Sequence, residues 1–407
     1  MDENTIINEA TRDFICRHGD DDVRQLALRG TRDAAVDLPL ALDQIAGRQA
    51  ARRKLPSWAA VEGIVYPPHL SMEQCSSEPT ALYKQAIARR RSGKQTFVDL
   101  TGGFGVDFAF MACGFSEAVY VERQEKLCAI ARHNFTLLGL TQAEVVCAEA
   151  EDYLQQMEPV DLIFIDPARR DLHGGRTYAL SDCTPDVLQL LGELLSKARS
   201  VLLKLSPMLD WRKAVADIGQ PYVSEVHIVS VRNECKELLL LVEPTPTPDP
   251  SSREGRLVCV NDSVVFEVPL VSISHPSNTT PLPWGGVGGG FLYEPNASIM
   301  KAGCFAEVAQ RYGVSPLAPN SHLYVADRAV EHFPGRTFRI TAVSTLNKRD
   351  LKTHLCGLTQ ANITVRNFPL SVAELRRRLK LSEGGSTYIF ATTLASGEKV
   401  LLICSRD

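Results

Sequence analysis

Between Gln95 and Glu243 the chain alternates short apolar runs with longer stretches of helical periodicity. The apolar runs are Phe97–Leu100, Ala118–Glu122, Val145–Ala148, Asp161–Asp166, Val201–Ser206, Val226–Val231 and Glu237–Val242. Helical segments such as Gln124–Leu138 and Pro185–Ala198 lie between them. Runs without polar alternation predict strands buried on both faces, and intervening helices predict parallel crossovers. The last two runs are nearly contiguous, which predicts an antiparallel closing pair.

The flanks read differently. Residues 1 to about 90 predict helices, including Ala41–Leu55, stopped by Pro56, and a second helix from Ser77-Glu78-Pro79 to Arg91. A capping side chain before a first-turn proline marks the start of that second helix. Pro244, Pro246, Pro248 and Pro250 with Ser251, Ser252 and Gly255 read as a linker or exposed excursion. A small β-rich unit follows, with a hairpin at Asn261-Asp262 and, after Gly285–Gly290, a helix near Ala297–Tyr312. The end of the chain predicts strand Phe338–Val343, helix Lys348–Leu355, strand Ile363–Val365, helix Val372–Leu379, and strands Thr387–Thr392 and Lys399–Cys404. That order suggests a small ferredoxin-like sandwich.

Composition narrows the class. A chain of 407 residues, 44% hydrophobic and 23% charged, is ordinary globular protein with room for two to four domains. The polar, acidic N-terminus is unlike a signal peptide, and no apolar run is long enough to span a bilayer. Eleven cysteines occur without a C-x-x-C pair, which points to free thiols and a cytoplasmic location. Nine histidines without ligand spacing give no metal site. The net charge of −4 is uneven: residues 336–407 carry 12 Lys/Arg against 5 Asp/Glu, or +7, which leaves −11 elsewhere. A basic end on an acidic body points either to an anionic partner, most simply nucleic acid, or to a solvated basic face.

The densest chemistry lies at Phe97-Val-Asp-Leu-Thr-Gly-Gly-Phe-Gly-Val-Asp107. An apolar run ends in Asp99, a turn with Thr101, Gly102, Gly103 and Gly105 follows, and a helical segment then begins. Glycines there let backbone approach a ligand, and a helix start offers free N–H groups. The dinucleotide fingerprint fails because Phe108 occupies its third glycine position. Twenty-three residues past Asp99 the next strand ends in Glu122, placed to accept hydrogen bonds from ribose hydroxyls. Glu149 follows the third run and is a candidate for an adenine amino group, with Glu151 and Asp152 as competitors. The fourth run ends in Asp166-Pro167-Ala-Arg169-Arg170. Asp166 is placed to orient a nucleophile or take its proton, and Arg169 and Arg170 to clamp a phosphate. Alternatively Asp166-Pro167 is only a turn and the arginines surface charge. Lys204, at the fifth strand's end, is a candidate for substrate contact. No P-loop, G-x-S-x-G or H-E-x-x-H competes.

Together these residues resemble the class I S-adenosylmethionine (SAM) methyltransferases, and within them a bacterial group with a THUMP-like domain after the catalytic one. Gln44-Ile-Ala-Gly-Arg-Gln, Glu73-Gln-Cys-Ser-Ser-Glu78, Asp99-Leu-Thr-Gly-Gly, Asp166-Pro-Ala-Arg-Arg, Lys204-Leu-Ser-Pro and Glu234-Cys-Lys-Glu carry the likeness. So do Tyr293-Glu-Pro-Asn, Lys301-Ala-Gly, Val365-Arg-Asn-Phe and Leu375-Arg-Arg-Arg. The resemblance implies an α/β fold: a Rossmann-like seven-stranded sheet, a helical N-terminal region covering the cofactor cleft, and small α+β C-terminal domains. The expected boundaries are 1–91 helical, 92–245 methyltransferase, 256–335 THUMP-like and 336–407 ferredoxin-like. SAM is the implied cofactor, held by Asp99, Thr101, Gly102, Gly103, Gly105, Glu122, Glu149 and Asp166. Asp166, Pro167 and Arg169 are the expected catalytic group. Arg169, Arg170, Lys204, Arg376, Arg377 and Lys380 are the expected substrate contacts. THUMP domains bind RNA in tRNA-modifying enzymes, so the implied reaction is methyl transfer to a base of structured RNA, tRNA or rRNA. The alternatives are a protein or small-molecule acceptor, or an RNA-binding protein that has lost catalysis. Asp-Pro-Ala-Arg departs from the Asn/Asp-Pro-Pro-Tyr/Phe of many amino-group methyltransferases, and Arg169 stands where an aromatic would stack a flipped base.

Overall fold

The computed structural model describes residues 7–90, 95–169, 180–244, 255–270, 290–318 and 320–406. The chain divides into two compact units, residues 1–226 with 236–253, and residues 227–235 with 254–407. The first opens with helices α1 (Glu9–His18), α2 (Val23–Arg29), α3 (Leu38–Lys54), α4 (Pro56–Ala59), α5 (His69–Gln74) and α6 (Glu78–Arg89). Pro79 occupies the first turn of α6 as the sequence predicts, but the Ser77 hydroxyl meets Thr80 Oγ1 at 3.3 Å and does not cap the backbone.

The alternating region then supplies β1 (Thr96–Asp99), α7 (Val106–Ala112), β2 (Glu117–Glu122), α8 (Glu125–Leu137), β3 (Ala143–Cys147), α9 (Ala150–Gln156) and β4 (Val160–Ile165). A two-residue ladder joins β5 (Ala168–Arg169) to β6 (Cys183–Thr184). Next come α10 (Val187–Lys197), β7 (Ala198–Leu205), α11 (Trp211–Ile218), β8 (Val223–Val231) and β9 (Glu234–Val242). The sheet has nine strands, where seven were expected: seven lie in the order β8-β9-β7-β4-β1-β2-β3, and two more continue it beyond β8. The pairs β4–β7, β1–β4, β1–β2 and β2–β3 are parallel, whereas β7 and β9 are antiparallel. The chain order reverses between β1 and β4, the place where ligands enter open α/β sheets.

An aromatic cluster supports the first turn of this sheet. Phe97, Phe108, Phe115, Tyr120 and Phe135 are all buried, with Phe108 and Phe135 rings 4.9 Å apart. Two side-chain amides tie the N-terminal segment to the domain. Asn134, on α8, donates to Val65 O (2.8 Å) and accepts from Val65 N–H (2.9 Å). Gln44, on α3, does the same for Tyr66, at 2.7 and 2.8 Å. Each amide thereby stands in for a strand partner, so the buried Val65-Tyr66 backbone keeps its hydrogen bonds.

The second unit holds the hairpin β10 (Arg256–Asn261) and β11 (Val264–Pro269), turning at Asp262 as predicted. It continues with β12 (Phe291–Pro295), α12 (Ala297–Ala302), α13 (Phe305–Tyr312), β13 (Ser315–Pro316) and β14 (Tyr324–Ala326). Its end comprises β15 (Gly335–Ser344), α14 (Lys348–His354), β16 (Asn362–Arg366), α15 (Val372–Leu379), β17 (Thr387–Thr393) and β18 (Lys399–Ser405). The single helix expected over Ala297–Tyr312 is two, because Gly303 takes φ +71° and ends the first. One sheet runs β13-β14-β12-β15-β18-β17-β16, and only β16 and β17 pair in parallel. Strands on both sides of residue 335 therefore share a sheet. Alternation along β17 and β18 feeds two cores: Phe390 and Leu402 pack with Leu292 and Phe338, while Ile389 and Leu401 pack with Leu375 and Ile363. Much of the proline-rich segment, residues 245–254, and residues 285–289 of the glycine run lie outside the described residues.

Asn134→Ala removes both partners of Val65. Each buried backbone group left unpaired costs about 1–3 kcal/mol. Urea unfolding should show that loss, with the far-UV circular dichroism spectrum of the wild type retained.

Candidate active site

The C-terminal ends of β1, β2, β4 and β7 surround a cavity of about 800 Å³. Asp99, the Gly102–Gly105 turn, Glu122, Glu149, Asp166 and Lys204 line it, and Ser71, Gln74, Cys75 and Ser76 from the N-terminal region complete a wall.

The turn is built so that backbone, not side chains, faces the cavity. A Cβ on Gly102 would lie 2.1 Å from the Tyr120 ring, and one on Gly105 2.8 Å from Phe135. Gly103 and Gly105 have φ of +55° and +83°, which favours glycine. At Gly103 a Cβ would find its nearest neighbour, Thr101 O, only at 3.9 Å. Glycine is needed there for conformation, while the space beside it stays open to a ligand. Glu122 fixes the turn from the next strand: Oε2 accepts from Gly103 N–H (2.9 Å) and Oε1 from Gln124 N–H (2.8 Å). Each carboxylate oxygen has a second lone pair, so two acceptor positions remain.

Asp99 is 1% exposed. Its Oδ1 accepts from Thr101 N–H at 2.9 Å, and Thr101 Oγ1 accepts from Asp166 N–H at 2.7 Å. Thr101 thus links the tips of β1 and β4. Burial pushes the Asp99 pKa well above the ordinary carboxyl range; the Thr101 bond opposes this, and Asp107 and Asp166 reinforce it. A cationic ligand beside it would relieve that cost.

Behind Asp166 lies a buried charge network. Lys204 Nζ stands 2.6 Å from Asp166 Oδ2 and 3.3 Å from Asp107 Oδ2. Lys84, fully buried on α6, reaches Asp107 Oδ1 at 3.2 Å and pairs closely with Glu237 on β9. The Ser76 hydroxyl donates to Asp107 Oδ2 at 2.7 Å and lies 3.2 Å from Glu237 Oε1. Burial penalises Asp107, but Lys84 and Lys204 outweigh it and hold its pKa below the ordinary value. Burial alone would lower Lys204, yet Asp166, Asp107 and Glu237 drive its pKa well up, so it stays an ammonium. The Asp166 side chain is 39% exposed, but it lies within the cleft. Burial raises its pKa and Lys204 only partly offsets this.

The structure brings Asp99, Thr101, Gly102, Gly103, Gly105, Glu122, Glu149, Asp166, Pro167 and Lys204 around one cavity. Glu149 sits at its rim, 3.9 Å from Arg123. Lys204, expected to contact substrate, lines the cavity and pairs its ammonium with Asp166 and Asp107. Arg169 pairs through its backbone with Cys183. Arg170 lies outside the described residues. Arg376, Arg377 and Lys380 belong to the second unit. There Arg376 donates to Ala361 O at 3.2 Å and stands 3.7 Å from Glu383, whereas Arg377 and Lys380 are exposed. Sequence reasoning missed Lys84, Asp107, Glu237 and Ser76. Asp107 closes the glycine motif and Glu237 sits in the Glu234-Cys-Lys-Glu segment, so both were in view; no local pattern marks Lys84.

The strand order, the antiparallel β9 and the glycine turn facing an acidic β2 tip define the fold of a SAM-dependent methyltransferase. The crystal structure of a "putative methyltransferase from Porphyromonas gingivalis W83" matches with 32% identity and a TM-score of 0.85, over 100% of this chain and 99% of that one. The chain belongs to the family of that protein. A SAM-dependent methyltransferase from Agrobacterium tumefaciens matches at 17% identity and TM-score 0.30, over 40% of this chain and 61% of its own. An rRNA methylase from Streptococcus thermophilus matches at 16% and 0.32, over 42% and 99%. Likenesses this short carry nothing about activity. A THUMP-like family model matches residues 335–406, and a ferredoxin-like one residues 291–334. Both domain types were expected, but in the opposite order along the chain. No curated protein matches.

Asp99→Asn keeps the oxygen that accepts from Thr101 and removes a buried charge. Because the folded pKa is raised, Asp99 costs stability as pH rises from the unfolded carboxyl value of about 3.9 through the folded one. The variant should therefore melt above wild type at pH 8, with the gap closing toward pH 4. Its affinity for SAM should fall. A variant that melts lower at pH 8 would show that the carboxylate is favoured in the fold.

Proposed function

We propose that this protein transfers a methyl group from SAM to structured RNA. The observation that carries the reading is the glycine turn held by Glu122 at the mouth of a cavity whose next strand tip is Asp166. On this reading the remaining acceptor positions of Glu122 take the ribose hydroxyls of the cofactor. The open space at Gly103 admits its backbone-hugging part, and Glu149 at the rim receives the adenine amino group. Asp99 faces the positive amino acid end. The cofactor supplies an electrophilic methyl on a sulfonium. The chain's own work is then to align the acceptor with that methyl, and alignment contributes most of the rate in such a step. Asp166 orients the acceptor and takes its proton, and Pro167 fixes the turn that presents it. Ser71, Gln74 and Cys75 limit access of water from one side.

RNA as the substrate is supported by the THUMP-like match over residues 335–406 and by the +7 charge of residues 336–407. Arg377 and Lys380, exposed on and just after α15, are the candidates for phosphate contacts. Arg169 and Arg170, which follow Pro167 along the chain, remain candidates for phosphate contacts. A cytoplasmic location accords with this substrate, and no described helix is long and apolar enough to cross a membrane.

Calorimetry should find SAM and its demethylated product binding with one site, and no binding of NAD. Glu122→Ala should weaken that binding by about 1.5–3 kcal/mol, the scale of a hydrogen bond to a charged acceptor. NAD binding without SAM binding would overturn the cofactor assignment.

RNA affinity, measured by fluorescence anisotropy, should fall linearly in log Kd against log salt, through counterion release. The double variant Arg377→Ala/Lys380→Ala should reduce that slope. An unchanged slope would remove α15 from the RNA surface.

A further inference from the structure

The residues around Asp166 define what kind of atom receives the methyl, a point that rests on the methyltransferase reading above. We propose that the acceptor is a ribose 2′-hydroxyl of RNA, in place of the base expected from the sequence.

Two features of the cleft support this. The first is the network itself. A hydroxyl is a poor nucleophile until its proton leaves, and the oxygen then carries developing negative charge. That demands a proton acceptor and a fixed cation side by side. Asp166 and Lys204 are such a pair, 2.6 Å apart at the cavity wall. Asp107 and Lys84 behind them hold Lys204 in place. A ring nitrogen with a free lone pair needs only positioning, and a buried ammonium beside it would work against the positive charge it gains. The second feature is the wall chemistry. A base extruded into a pocket is read by stacking between aromatic or apolar side chains. Among the described lining residues the aromatics are Phe104 and Phe164, 4% and 1% exposed, so neither offers a face to a base. The lining also carries Ser76, Lys204, Ser206 and Lys236 alongside the aliphatic Leu205, Pro207 and Leu209, so no aromatic face among the described lining residues is open to stack a base.

The step balances simply. The hydroxyl oxygen forms a bond to the methyl carbon as the carbon–sulfur bond breaks, and the sulfur keeps that electron pair and loses its positive charge. The hydroxyl proton passes to the Asp166 carboxylate and from there to solvent. Lys204 remains protonated throughout and stabilises the developing alkoxide. Lys84, Asp107 and Glu237 are positioning residues.

The test uses the full chain, methyl-labelled SAM and RNA from cells lacking the gene. Nucleosides from the labelled RNA are fragmented in a mass spectrometer. The expected result is a methyl that stays with the sugar when the base is released. A methyl that leaves with the base would overturn the inference and keep the RNA reading. RNA that acquires no label would overturn both.

A binding measurement without turnover completes the test. With the demethylated cofactor product present, an oligoribonucleotide covering the labelled position is compared with one carrying 2′-deoxyribose there. Wild type should bind the deoxy form roughly tenfold more weakly, since it lacks a hydrogen bond to a charged group. Asp166→Asn and Lys204→Met, each checked for an unchanged melting profile by circular dichroism, should shrink that difference. If Lys204→Met fails to fold, Asp166→Asn alone decides. Equal binding of the two oligonucleotides to wild type would contradict the proposal.

Discussion

Lys84 has no exposure to solvent, and much of the first unit depends on what its ammonium meets. It rises from α6 into a space shared by Asp107 at the start of α7 and Glu237 on β9. Asp107 in turn shares Lys204 with Asp166. Two ammonium groups and three carboxylates thus connect a helix of the N-terminal region, the glycine turn and three strands. Such networks are costly to bury and rarely add stability over an apolar core. Removing one member, however, leaves an uncompensated charge worth about 3–5 kcal/mol. The network therefore acts as a lock on geometry: with it intact, α6 has one seat and Asp166 one direction.

That lock explains why the helical N-terminal region belongs to the catalytic unit. Gln44 and Asn134 hold the Val65-Tyr66 backbone, and Lys84 ties α6 to the sheet. Between these anchors runs the segment carrying Ser71, Gln74, Cys75 and Ser76, which walls the cavity. Asp99 and Thr101 repeat the theme on a smaller scale, joining the β1 and β4 tips through two hydrogen bonds. Polar groups that would be expensive alone are placed where they fix the cleft.

The sheet was legible in the sequence because its central strands are buried on both faces and read as continuous apolar runs, from Phe97–Leu100 to Glu237–Val242. Carboxylates at strand tips were legible for the same reason: each breaks an apolar run at its end. The network was not. Lys84 reads as one more exposed lysine on an amphipathic helix, and only long-range packing brings it to Glu237, 153 residues away. Lys204 was seen at its strand end, but its spacing says nothing about the 2.6 Å approach of Asp166. In the second unit, sequence alternation gave the strands but not their union into one sheet, since pairing of β12 with β15 joins segments the chain order keeps apart. The Ala297–Tyr312 helix was misjudged because helical periodicity continues through Gly303, while its backbone does not.

The most direct test is a crystal structure of the full chain grown with the demethylated cofactor product. The account predicts the nucleoside ribose on Glu122, the amino acid end toward Asp99, and the sulfur facing the side of the cleft that holds Asp166 and Lys204. A product bound away from the Gly102–Gly105 turn, or reversed so that its sulfur faces away from Asp166, would contradict it.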